Sequence, residues 1–354
     1  MKRRYVTLDA MRGVAALFVA ALHFGTIYRP DAPSPRYSHL AVDIFFLLSG
    51  FVLSLSYGEK LAAGMTPRDF LIRRLVRLFP LYLLGTLLSF LVAGWEFSTG
   101  ELGQVAPGTL AASGTAAILM LPSPAYHFSI FLFPFMVPAW SLFFELYVAN
   151  VAFVVFRRAT DRALVALVVL SFALLLAADV LHHGSLDMGA QWHTFPGGIP
   201  RTLFSFFFGV LLQRWHRAQP PRLQIPSWIL IGALAVLLGA PFSGFPGKVH
   251  ELACVLLFFP ALIFWGAEAR EINGGLGAAL GDTSYALYVI HYPLVILARH
   301  ALAQTDAGLA AMLEFPFLAA VSALAYGLHH FFDEPVRGWL AERLLDRSLV
   351  QRRV

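Results

Sequence analysis

Residues 8–27 read Leu-Asp-Ala-Met-Arg-Gly-Val-Ala-Ala-Leu-Phe-Val-Ala-Ala-Leu-His-Phe-Gly-Thr-Ile. A bilayer core about 30 Å thick takes about 20 helical residues, and this run has that length. Lys2, Arg3 and Arg4 precede it, so the start mimics a secretory signal. However, the run carries Asp9, Arg12 and His23 and lacks a convincing small-residue cleavage site, which marks an uncleaved first span.

The whole chain repeats that character. Of its 354 residues 58% are apolar and 13% charged, with a mean hydropathy of +0.69. Soluble domains carry about 25% charge, so there is too little here to clothe a water-facing surface. A polytopic membrane protein is expected, and a soluble enzyme is excluded. The single cysteine, Cys254 between apolar neighbours, excludes a disulfide framework and a thiolate metal site. The net charge of +5 is scattered among hydrophobic runs, so no nucleic-acid partner is expected.

Apolar runs lie near 8–27, 40–57, 76–94, 138–156, 163–181, 200–215, 227–242, 249–267, 281–302 and 309–332. Lipid offers backbone polar groups no partner, so each run reads as a helix. With the N-terminus in the cytoplasm, 20 of the 26 Lys and Arg residues fall on inner segments, from Arg4 through Arg73, Arg157 and Arg270 to Arg347 and Arg353. That asymmetry is the positive-inside pattern. The expectation is an all-α polytopic bundle of about ten transmembrane helices forming a single domain over 1–354, with both termini cytoplasmic. The stretch 109–135 is broken by Gly114, Pro122, Pro124 and Pro134, and reads as a re-entrant hairpin or an outer-face cap. No repeat, low-complexity run or soluble domain interrupts the pattern.

Ionisable groups at bilayer depth are costly, and each marks a candidate site. Arg12 and His23 are eleven positions apart, which on a helix leaves only ~20° of rotation and ~16 Å of rise. They share one face, Arg12 near the cytoplasmic end and His23 in the outer half. A snorkelling Arg12 and a hydrogen-bonded His23 are the plain alternatives. Matching depths, Asp43, Glu145 and His291 come within reach of His23. A carboxylate from Asp43 or Glu145 would fix the imidazole tautomer and raise its basicity, as a general base requires. Glu145 could instead pair with Arg12, and His291 could make a structural hydrogen bond. Arg74 and Arg77, three apart, share a helix face at the inner surface. Two guanidinium forks there suit a phosphate-rich ligand or, equally, lipid head groups. The outer segment 182–201 holds His182, His183, Asp187, His193 and Arg201 and could line a polar entry at the outer face. Its irregular spacings argue against a metal, and none is expected.

These motifs, in this order, resemble acyltransferase family 3. Arg12 and His23 resemble its first-span Arg and His separated by ten residues; Val42-Asp43-Ile-Phe-Phe-Leu-Leu-Ser49-Gly50-Phe51 resembles its second-span signature. Arg74-Leu-Val-Arg77 resembles the cytoplasmic RxxR element, and Trp140-Ser141-Leu-Phe-Phe-Glu145 the WSLxxE element. Ser284-Tyr285-Ala-Leu-Tyr-Val-Ile-His291 resembles the late SYxxYLxH helix, and Glu334-Pro335 the ending, altered here by Asp333. No esterase-like domain follows, so a stand-alone version is expected.

The resemblance implies an integral enzyme of a bacterial cytoplasmic (inner) membrane that moves an acyl group, commonly acetyl, from cytoplasmic acetyl-CoA to a hydroxyl of a carbohydrate or similar acceptor. Arg74 and Arg77 would hold CoA phosphates. Arg12 would stabilise charge on the thioester carbonyl or grip the cofactor arm, and His23, oriented by Asp43 or Glu145, would deprotonate the acceptor or carry the acyl group itself. Ser49, Trp140, Ser141, Tyr285 and His291 would serve the substrates or the fold. A transporter or flippase without transfer activity is the competing class, although it should show paired broken helices or a repeat. Acceptor identity, acyl length and oligomeric state stay open.

Overall fold

The computed structural model describes residues 4–30, 35–100, 105–125, 127–181, 185–270 and 274–345. His182, His183 and the basic residues Lys2, Arg3, Arg347, Arg352 and Arg353 lie outside them. The described residues are helical with connecting turns and contain no strand, only two isolated bridges. The helices are α1 (Val6–Gly25), α2 (Ser38–Ala62), α3 (Pro67–Ser98), α4 (Pro107–Ile118), α5 (Ala139–Val155), α6 (Asp161–Leu181), α7 (Trp192–Ala218), α8 (Ser227–Leu238), α9 (Gly244–Gly266), α10 (Gly274–Ala301) and α11 (Ala307–Leu344).

Seven of these (α1, α2, α3, α6, α7, α9 and α11) are long and apolar enough to cross a membrane. The expected count of about ten is therefore not reached on length and apolarity. Two of the other three runs form shorter apolar helices, α5 and α8. The third is α10, 28 residues long but diluted by Asp282, Thr283, Ser284 and His291. The outer surface suits lipid: Leu91, Val169, Val236 and Phe315 are all more than half exposed. Apolar exposure on that scale is foreign to soluble monomers.

Two parallel helix pairs form the centre, α1 along α10 and α2 along α7. Between lipid-embedded helices, association rests on close packing, so small residues mark the contacts. A Cβ on Gly50 would fall 1.9 Å from the Phe206 carbonyl oxygen, and one on Gly209 2.0 Å from that of Leu47. Both positions require glycine.

The stretch 109–135 combines the short helix α4 with non-helical backbone among its described residues. α4 lies along α3, with Gly114 beside Phe90 and the Ala117 carbonyl accepting from Tyr82 Oη. The described residues between α4 and Pro138 form no helix. Buried non-helical backbone must find its hydrogen-bond partners within the protein. Leu132 N donates to Ala190 O at 3.0 Å, and Trp192 N to Ile130 O at 3.0 Å, so this segment is clamped to the loop before α7.

Four helices contain one widened, π-type stretch: Ser54–Gly58 in α2, Phe144–Ala149 in α5, Cys254–Phe258 in α9 and His329–Asp333 in α11. Such turns re-aim side chains and are frequent at functional sites. Three of the four contribute to the wall of one cavity.

Candidate active site

The cavity has a volume of about 570 Å³ and opens at the end of the bundle where α1 begins. Its mouth is ringed by charge: Arg4, Asp9 and Arg12 from α1 and the segment before it, Asp282 from α10, and Asp333, Glu334 and Arg337 from α11. Outside the spans, Arg4 is partly desolvated, yet Asp282 (2.6 Å) and Asp9 (2.9 Å) outweigh that cost and hold its guanidinium pKa above the ordinary value. Deeper, Ser49, Arg74, Arg77 and Glu145 line the wall. Phe45, Ser141 and Tyr288 lie among the lining residues nearest the histidines.

Arg74 and Arg77 differ in state despite sharing a helix face. Arg74 is buried, and its guanidinium donates to Glu145 Oε1 at 2.5 Å. Ser49 Oγ donates to the same oxygen at 2.6 Å. Glu145 thus neutralises Arg74 and ties α5 to α2 and α3. Arg77 is exposed into the cavity and has no ion-pair or hydrogen-bond partner among the described residues. It is the cation in this wall open to an anionic ligand.

Arg12 clips α1 to α10. Its Nε donates to Ser284 Oγ at 2.8 Å, its Nη2 to Gly281 O at 2.8 Å, and Asp9 lies 3.3 Å away. Since α1 is unbroken between Arg12 and His23, their ~16 Å of separation stands. In this structure the Arg12 guanidinium is engaged with α10, about three helical turns from the position of His23. Tyr285 Oη donates to Leu78 O at 2.6 Å and packs α10 on α3 at the cavity wall.

Among the described residues no carboxylate hydrogen-bonds to His23. Asp43 is buried and held by Arg201, whose Nη2 donates to Oδ2 at 2.8 Å and whose Nε lies 3.2 Å from both oxygens; Ser205 Oγ adds a bond of 3.1 Å. The expectation matched Asp43 and His23 in depth, but Asp43 turns toward α7. Glu145 is taken by Arg74. Instead, His23 Nδ1 lies 2.9 Å from Val19 O and 3.1 Å from His291 Nε2, while His291 Nδ1 lies 3.0 Å from Leu287 O. A carbonyl only accepts, so each Nδ1 carries a hydrogen in the neutral pair. His291 Nε2 then accepts from His23, and the tautomer left to His23 has a bare Nε2 lone pair. That is the form a general base or nucleophile needs.

The histidine pair sits just beyond the cavity. Tyr288, one turn before His291, has its ring 5.9 Å from that of His291 and 5.4 Å from Phe45. Its hydroxyl lies 2.6 Å from Ser141 Oγ and 3.1 Å from Pro138 O. Trp140 packs on the outer side, its ring 5.5 Å from the Arg201 guanidinium.

The sequence placed Arg201 in an outer loop; it is in α7 and fully buried. An arginine between Pro200 and a phenylalanine-rich run was the available signal. Asp333, whose Oδ2 accepts from Arg337 at 2.7 Å, and His329 join the wall without having been singled out. One group, His329, His330 and Glu334, has ligand atoms within 4.8 Å of one another, although none was expected to bind metal.

Comparison with known proteins decides the class. The profile of a family described as "Acyltransferase domain" matches residues 5–328. The chain belongs to acyltransferase family 3. This acyltransferase is 39% identical over 186 residues to "Protein 2 in picA locus" of Rhizobium radiobacter, covering 49% of this chain and 94% of that one. It is 27% identical over 328 residues to "Exopolysaccharide production protein ExoZ" of Rhizobium meliloti (strain 1021), covering 88% and 89%. It is 25% identical over 323 residues to "Putative membrane-bound transacylase BcsY" of Komagataeibacter xylinus, covering 85% and 75%. No solved structure matches. The acyltransferase is thus an integral membrane enzyme.

Proposed function

We propose that this acyltransferase transfers an acyl group, acetyl in the first instance, from acyl-CoA to a hydroxyl of an extracellular or envelope polysaccharide. The observation that carries this reading is a charged cavity with one unpaired arginine, ending beside a histidine whose Nε2 is bare. Arg77 binds phosphate of CoA on the cavity wall, inside the charged mouth to which Arg12 belongs, and Arg74 shapes the wall through Glu145. The pantetheine arm continues inward and brings the thioester toward Tyr288 and the histidines.

In the direct route, His23 Nε2 takes the proton of the acceptor hydroxyl as its oxygen attacks the thioester carbonyl. The C–S bond then breaks, and the CoA thiolate leaves, taking the proton from the His23 imidazolium. The position of His23 between the donor cavity and the opposite end favours a second route as well. There Nε2 takes the acyl group first, releasing CoA, and passes it to the acceptor. A burst of CoA equal to enzyme, without acceptor, selects the second route; no burst selects the first.

The polysaccharide acceptor follows the naming of the ExoZ relative. On this reading α5, α8 and α10 also cross, giving ten spans with both termini in the cytoplasm of a bacterium, so acyl-CoA enters from inside. The working test is thermal stability of the purified protein with acetyl-CoA. An enzyme that uses this donor melts several degrees higher with it, whereas a transporter of acceptor precursors gains nothing.

A further inference from the structure

Two adjacent histidines of α11 take no part in the transfer chemistry. His329 is buried in the wall of the donor cavity, and His330, half-buried, lies beside it. Both belong to the π-type stretch His329–Asp333. On a regular helix, residues five apart are turned about 140° from one another, so His329 and Glu334 would face apart. Here Glu334 N donates to His329 O, the i→i+5 bond of a π turn. The widened turn brings Glu334 over His329 while keeping it one turn from His330. Two neighbouring imidazoles therefore converge on one carboxylate, with ligand atoms of all three residues within 4.8 Å of one another. The imidazoles themselves are 5.0 Å apart, and Tyr326 packs edge-on against His330, ring centres 4.4 Å apart.

These spacings are those of a metal site. Ligands about 2.1 Å from a tetrahedral ion lie about 3.4 Å from one another. His330 Nδ1 and Glu334 Oε2 are 3.4 Å apart. The other separations close by side-chain rotation, for which the exposed Glu334 has room. Asp333 supplies an independent sign. It is 1% exposed, and its Oδ2 accepts from Arg337 at 2.7 Å and lies 3.5 Å from His329 Nδ1. Its Oδ1, however, is buried with no hydrogen-bond partner among the described residues. A buried carboxylate oxygen without a donor is costly, and water carried by an ion at His329 supplies one. A plain ion pair of His330 with Glu334 accounts neither for the convergence of His329 nor for this orphaned oxygen.

We propose that His329, His330 and Glu334 bind one divalent transition-metal ion of the zinc class. Two imidazoles and a carboxylate suit zinc, whereas magnesium takes oxygen ligands. Three protein ligands leave a fourth position open to water or an anionic oxygen. Because His329 and Glu334 also line the donor cavity, the ion stands in its wall. The metal site does not depend on which acyl donor or acceptor the enzyme uses.

The test uses tag-free, full-length protein in detergent, stripped with EDTA and then given zinc chloride or magnesium chloride. Metal retained after gel filtration and melting temperature are measured. The expected result is about one zinc per chain, a melting temperature several degrees higher with zinc, and no rise with magnesium. His330→Ala and Glu334→Gln should each weaken zinc binding at least about tenfold, since even the loss of an outer-shell partner costs that much. Both side chains reach the surface, so without metal each variant should melt within about 2 °C of the native protein. His193→Ala, which removes an exposed histidine at the start of α7, should bind zinc as the native protein does. X-ray absorption of the zinc-loaded native protein, which needs no variant, should show two imidazole ligands. No zinc retained by the native protein overturns the proposal. So does zinc held by either variant as tightly as by the native protein, an equal rise with magnesium, or an absorption spectrum without two imidazoles.

Discussion

Replacing Asp43 by asparagine separates a residue of the chemistry from a residue of the scaffold. Asp43 and Arg201 are 3% and 0% exposed, and three guanidinium–carboxylate contacts of 2.8–3.2 Å join them. Asparagine keeps the shape but removes the charge and turns an NH2 group toward Arg201 or Ser205. The guanidinium is left with two carbonyls, His39 O at 2.9 Å and Met188 O at 3.0 Å, and the exposed Asp187 at 3.5 Å. Breaking one side of a buried pair costs about 3–5 kcal/mol. Against a total stability of about 5–15 kcal/mol that is a large share. At about 2–4 °C per kcal/mol, the melting temperature should fall by roughly 10 °C. The assay is thermal unfolding in detergent, followed by the monodisperse fraction remaining after heating. Adding Arg201→Gln to Asp43→Asn removes the stranded charge and should recover part of the loss, because contacting residues couple. An Asp43→Asn protein that melts within about 2 °C of wild type refutes this reasoning. If it were also inactive, Asp43 would return to the chemistry.

Arg77→Ala should raise the acyl-CoA KM at least tenfold with a smaller change in kcat, since a bond to a charged group is worth about 1.5–3 kcal/mol; steady-state kinetics across donor concentration decide it. Gly50→Ala should force α2 from α7, because its Cβ would meet a backbone oxygen, at about 1–3 kcal/mol. Gly58→Ala, whose Cβ would meet only Ser54 Oγ at 3.6 Å, is the control on the same helix; comparing the two melting curves checks it. His291→Gln should lower kcat about tenfold or more while acetyl-CoA stabilisation persists, since His23 loses the acceptor that helps fix its tautomer.

The helical membrane character and the family motifs were legible because they depend on local sequence: run length, charge scarcity and residue order. Arg12 and His23 lie on a regular helix, so their ~16 Å separation also followed from spacing. What failed was partner choice. Depth along a helix is readable from position, but the direction a side chain faces depends on packing. Asp43 and Ser49, six residues and about 240° apart on α2, point to different neighbours: Asp43 meets Arg201, and Ser49 meets Glu145. Arg201 was misplaced because α7 begins at Trp192, eight residues before the apolar run read from 200. The π-type stretches that aim Glu145, His329 and Asp333 at the cavity leave no mark in residue order.

The most direct test of the account is acyl transfer by His23→Ala, measured with radiolabelled acetyl-CoA in membranes that also contain the cell's polysaccharide. The account requires transfer to fall to background while acetyl-CoA still raises the melting temperature of the purified variant as it does the wild type. Full transfer by His23→Ala would contradict it, whichever route the acyl group takes.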